Sequence, residues 1–150
     1  MIKKLKSKVN RLNDEICKIK SNDGKTIAIV VRKYFKKEGV NFVSDPDFPL
    51  QLGISNYKKN EEIKAHFHIE NEIKINKIQE IVYIKKGKTL VNLYNRDGCN
   101  FKSIELSSGD IIFFVEGGHG FNMLEETDII EVKQGPYFGR DKDKRMIEWN

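Results

Sequence analysis

The chain has 150 residues, of which 39% are hydrophobic and 33% charged, with 3 prolines; this describes one globular domain spanning 1–150 with its own core, not a disordered or fibrous protein. Its net charge of +5 comes from scattered lysines without a helix-turn-helix, zinc-finger or aromatic RNA-binding motif, so the expected partners exclude nucleic acid but leave room for anionic small molecules. No apolar run approaches the roughly 20 residues that span a bilayer, and Met1-Ile2-Lys3-Lys4-Leu5-Lys6 lacks the apolar centre of a signal peptide, so no membrane partner, a cytoplasmic location and free thiols at Cys17 and Cys99 are expected.

Ile2, Leu5, Val9, Leu12 and Ile16 recur at spacings of 3 and 4, which predicts a short amphipathic helix over 1–15 that packs or forms a dimer contact. From residue 16 to 138 the texture changes to short apolar runs between turns. Ile16 to Lys20 and Thr26 to Arg32 flank Ser21-Asn22-Asp23-Gly24, whose Asp-Gly favours a hairpin turn. Further strands are expected at Leu50 to Asn56, Ile63 to Ile69, Glu80 to Lys85, Thr89 to Tyr94, Phe101 to Leu106, Ile111 to Val115, Phe121 to Leu124 and Ile129 to Gln134. Many short strands without crossover helices indicate an all-β antiparallel sandwich or barrel. Residues 139–150 read as a charged, solvated tail.

All 3 histidines of the chain fall where strand-borne ligands would stand. Side chains two apart on a strand share a face, so His66 and His68 can project together while Phe67 turns away. His119 follows Gly117-Gly118, where the backbone can turn sharply. Glu80 shares its strand face with Val82 and Ile84, and a carboxylate facing inward needs a cation. His66, His68, Glu80 and His119 make a nitrogen and oxygen donor set for a divalent transition metal: Mn, Fe, Co, Ni or Zn. Glu70 and Glu72 are rivals to Glu80, but neither opens an apolar strand that ends in glycine.

These residues resemble the cupins. The first cupin motif contains His-x-His, then a Glu and, six residues further on, a Gly; His66, His68, Glu80 and Gly87 match it. The second begins with Gly and ends in a His followed by an Asn, and Gly109, Gly117, His119 and Asn122 occupy comparable places. The resemblance covers roughly residues 50–134 and implies a cupin-type antiparallel β-barrel, the double-stranded β-helix or jelly roll. The chain departs from the pattern at Asn60, where a glycine would fall, and at Val115, where a proline would. Eleven residues separate His68 from Glu80, more than the motif has, so Ile69 to Gln79 reads as an insertion loop near the site.

The Gly-Gly-His-Gly-Phe turn and Ile129-Ile130-Glu131-Val132-Lys133-Gln134-Gly135-Pro136-Tyr137 look like the end of small cupins described as similar to mannose-6-phosphate isomerase, often found beside genes for surface polysaccharides and sugar nucleotides. The likeness implies a metal-dependent isomerase or epimerase acting on a small carbohydrate-derived substrate. A non-catalytic sugar-binding or metabolite-binding cupin and an iron-dependent dioxygenase are the competing readings. Glu80, which is also a proposed metal ligand, Tyr94 and Tyr137 are the catalytic candidates, since a carboxyl or phenol beside the site can transfer a proton. Alternation puts Ile129, Glu131 and Lys133 on one strand face, so the charged pair faces either the cavity or solvent, and solvent is expected. A homodimer is expected, because exposed β edges otherwise invite uncontrolled association.

Overall fold

The computed structural model describes residues 14–147, so all but the last two residues of the expected helix over 1–15 lie outside it. Within these bounds the chain is all-β. The first hairpin joins β1 (Ile16–Lys20) to β2 (Thr26–Val31), and Gly24, at φ 82°, supplies the positive dihedral that Asp-Gly favours in such a turn. There follow β3 (Gly39–Phe42), β4 (Gly53–Asn56), β5 (Glu80–Lys86), β6 (Lys88–Tyr94) and β7 (Asn100–Ser107). The last strands are β8 (Ile111–Phe114), β9 (Gly118–Met123) and β10 (Asp128–Lys133), before a one-turn helix, α1 (Arg140–Asp143).

Three antiparallel sheets result, in the orders β1-β2-β8-β5-β10, β3-β4 and β7-β6-β9. They do not close into the expected barrel: among the described residues β9 and β10 each pair on one side only. Two expectations fail in detail. Ile63 to Ile69 is not a strand; residues 61–76 run without regular structure and are exposed. Conversely β3 forms from Gly39-Val40-Asn41-Phe42, a segment too short and too mixed to signal itself, because β4 supplies its pairing.

The large sheet is buried on both faces at its centre, which is why β2 and β8 read as unbroken apolar runs. Ala28, Val30, Val82, Ile84, Ile112 and Phe114 point to one side and pack with Val91, Leu93, Ile104 and Leu106 of the three-stranded sheet. Ile29, Val31 and Phe113 point to the other and meet Val43, Leu52 and Val115. The alternation expected for β5 holds: Glu80, Val82 and Ile84 face the first cluster, while Tyr83 is turned out.

Two local devices fix the turns around this core. Gly87 joins β5 to β6 at φ 84°, and a Cβ there would lie 2.2 Å from the Glu126 carbonyl oxygen, so no other residue fits. Asp110 ties β2, β7 and β8 together: its carboxylate accepts from Arg32 Nη1 at 2.8 Å, from the Lys33 amide at 3.0 Å and from the Ser107 amide at 3.0 Å. It is only 4% exposed, so its loss leaves two amides without an acceptor and Arg32 with no carboxylate partner, only the Glu105 carbonyl oxygen at 2.9 Å. Asp110→Ala is expected to cost about 3 kcal/mol in urea unfolding. Glu126→Ala, which removes only the exposed partner of Lys86, is expected to cost under about 1 kcal/mol.

Candidate functional site

Glu80 opens β5 with its carboxyl turned toward the space between the two larger sheets, and it is 6% exposed. His119 reaches the same place from β9. The chain turns into that strand through Gly117 at φ 78°, where a Cβ would stand 2.6 Å from the Tyr94 carbonyl oxygen, so the close approach of β9 to the end of β6 needs a glycine. The imidazole then lies flat on Phe114, with ring centroids 3.8 Å apart and planes 11° from parallel, and meets Phe121 edge-on at 5.8 Å. This packing fixes the ring with Nε2 3.7 Å from Glu80 Oε2.

That separation is beyond a hydrogen bond, and the charges do not make it an ion pair. Burial lowers the His119 pKa to about 4, aided by the positive charge of Lys144 and opposed by Glu131, so the ring is neutral at ordinary pH. Glu80 moves the other way, to about 7, chiefly through burial and then through hydrogen bonding to, and repulsion from, the Glu131 carboxyl. Register explains the second cause. Glu80 pairs with Lys133 and Val82 with Glu131 across β5 and β10, so Ile129, Glu131 and Lys133 lie on the same face as Glu80, and Ile129 packs on the core.

Glu131 thus shares the face of Glu80 while remaining exposed to solvent, and Lys133 is half-buried; Ile130 and Val132, on the opposite face, are 48% and 52% exposed. The signal was present in Glu80 itself, since an inward carboxyl on β5 calls for polar neighbours on the adjoining strand. Lys133 Nζ is held by Asp143 Oδ2 at 2.9 Å and lies 4.7 Å above the ring centre of Tyr137. Thus the charged tail is not purely solvated: α1 supplies Asp143 to the rim of the site. Nothing in the spacing of Arg140-Asp141-Lys142-Asp143 foretold that contact.

The other expected residues are placed differently. Tyr137, 63% exposed, stands at the rim beside Lys133. Tyr94 is buried, but Leu93 is the residue opposite His119 across β6 and β9, so alternation sends Tyr94 to the other face of that sheet, near Gly120. His66 and His68 sit in the exposed segment, rings 5.4 Å apart, with His66 Nδ1 2.8 Å from the Lys64 carbonyl oxygen. Only two of the four proposed metal ligands, Glu80 and His119, therefore adjoin. Among the described residues no group of three or more His, Cys, Asp or Glu side chains is arranged to hold a metal ion. The segment bearing His66 and His68 pairs with no strand among the described residues, so the two histidines stand apart from Glu80 and His119.

Cys17 and Cys99 are free thiols, and no helix of the described residues is long and apolar enough to cross a membrane. No protein-family model, curated protein or solved structure matches the chain.

The two shifted groups oppose each other in stability. Glu80, raised from 4.5 to about 7, holds its proton in the native state when the unfolded chain has lost it, so its contribution falls as pH rises from about 4.5 to about 7. His119, lowered from 6.5 to about 4, refuses a proton the unfolded chain binds, so its contribution rises from about pH 4 to about 6.5. The effects offset in the native protein. In Glu80→Gln only the rise remains, and urea midpoints taken across pH 4 to pH 7 are expected to climb more steeply than in the parent.

Proposed function

We propose that the protein is a cupin-like enzyme that moves a proton on a small carbohydrate-derived substrate, as an isomerase or epimerase does. The observation that carries this reading is the placement of a buried carboxyl, Glu80, 3.7 Å from a neutral imidazole, His119, between the two larger sheets. A carboxyl whose pKa lies near the working pH can both take and return a proton, and burial beside Glu131 gives Glu80 that property.

The step needs no external reductant or oxidant. Glu80 as carboxylate removes the proton from the carbon next to a carbonyl, the C–H electron pair becomes the new carbon–carbon double bond, and the carbonyl electrons move to oxygen. A neutral imidazole N–H at His119 can hydrogen-bond that oxygen as charge develops, which is the role a neutral histidine serves best. For isomerisation the proton then returns from Glu80 to the former carbonyl carbon while the hydroxyl proton on the deprotonated carbon passes to the former carbonyl oxygen, so the carbonyl has moved by one carbon; for epimerisation it returns to the same carbon after the intermediate has turned its other face to Glu80. Lys133, steadied by Asp143, stands at the rim as a cation for an anionic group such as a phosphate.

The test is exchange of the substrate's carbon-bound hydrogen with deuterium oxide, followed by NMR across sugar phosphates and nucleotide sugars. A substrate that exchanges is expected to do so at least ~100-fold more slowly with Glu80→Gln or His119→Ala, while Tyr94→Phe leaves the rate unchanged. Equal rates for parent and Glu80→Gln would remove this reading, and saturable binding without exchange would favour a non-catalytic sugar-binding protein.

A further inference from the structure

A cavity of about 550 Å³ lies between the β1–β2 turn, the loop 45–49, the segment 74–79 and residues 115–116 after β8. Val115 and Phe48, which line it, pack in the second apolar cluster, on the face of the large sheet opposite to that of Glu80. It is therefore a different place from the Glu80–His119 site. Its volume is that of a small-molecule pocket.

Charge at its walls is unbalanced. Lys20 and Lys25 reach it from the hairpin, and Lys74 and Lys77 from the segment that leads into β5. Asp45, Asp47 and Glu116 also line it, but two of these carboxylates are already matched. Lys18 Nζ holds Asp45 Oδ1 at 2.6 Å, and Glu116 receives both Lys77 and, at 3.4 Å, Arg96 Nη2. Lys25 is spent on Asp23 at 3.0 Å. Lys20 and Lys74 are left with no carboxylate in ion-pair range among the described residues.

A second observation does not depend on surface charge. Gln79 is 3% exposed and lines the same cavity. Its Oε1 accepts from the Leu50 amide at 3.2 Å, and its own amide donates to Gln134 Oε1 at 2.7 Å. These bonds fix the side chain, yet no described residue accepts from its Nε2. Among the described residues the fully buried side-chain nitrogen or oxygen without a partner is Gln134 Nε2, so the Gln79 nitrogen is reached from the cavity. An unpaired donor on a buried side chain is costly, and a ligand oxygen satisfies it.

We propose that this cavity binds a phosphorylated small molecule with a flat apolar part, the chemistry of a nucleoside phosphate. Phosphate oxygens accept from Lys20, Lys74 and the Gln79 Nε2, charge-assisted bonds that lysine makes as a point charge. The flat part rests on Phe48 and Pro49, and Phe48 is itself steadied edge-on by Phe113 with ring centroids 6.1 Å apart. Asp47, the lining carboxylate without a cation, adjoins Phe48 in the chain. It therefore falls on the uncharged side of the ligand, where it accepts from a sugar hydroxyl.

The test is isothermal titration calorimetry of the full chain at low salt, where such contacts are least screened, with metal-free ADP and inorganic pyrophosphate as probes. ADP is expected to bind one-to-one, at least ~5-fold tighter than pyrophosphate because only ADP has a ring to stack. Lys20→Gln/Lys74→Gln, which alters exposed side chains alone, is expected to weaken ADP binding at least ~10-fold with the circular dichroism unchanged. Glu80→Gln is expected to leave it as in the parent. Absence of saturable binding by either probe, or binding indifferent to the lysine pair, would overturn the site. Binding lost in Glu80→Gln would place the ligand on the other face of the sheet and overturn it equally. Pyrophosphate binding as tightly as ADP would overturn the seat assigned to Phe48 and Pro49.

Discussion

Glu80 begins β5 with its side chain on the face that Val82 and Ile84 bury. Alternation leaves no choice: a register that exposed Glu80 would expose those two as well, and the core between the two larger sheets would lose its centre. The carboxyl is therefore held away from water by the same pairing that builds the fold. Its neighbours follow from that constraint. β10 answers with Glu131 and Lys133 on the same face, and β9 brings His119 flat against Phe114. Fold and site share one cause, which is the burial of β5.

The electrostatics follow too. In water a carboxylate and an imidazole at this distance would attract as ions, but burial favours the neutral form of each. The result is a group that titrates near neutrality, Glu80, beside one that stays uncharged, His119. A pair whose environments push its members apart in this way is suited to divide acid–base work between them.

Much of this was legible in the residues. The β1–β2 hairpin stands where Asp23-Gly24 puts it, and the strands from Glu80 onward begin and end within a few residues of their apolar runs. Glu80's inward direction followed from Val82 and Ile84. That Glu131 meets Glu80 as well as solvent was not legible, because a strand's period says which residues share a face, not what lies across from them; only pairing with β5 decides that. His66-Phe67-His68-Ile69 was misread for a related reason. Its alternation is that of a strand, but a strand needs a neighbour to bond, and none of the described residues provides one within the chain. Asp143 depended on the path after Gly135-Pro136, which carries no period at all.

The central claim is that burial and Glu131 set the proton affinity of Glu80. The most direct measurement is the carbon-13 NMR titration of the Glu80 carboxyl in the full chain. A midpoint near 7, moving down toward the ordinary range in Glu131→Gln, is the result the account predicts. A midpoint near 4.5 in the parent, unmoved by that substitution, would contradict it.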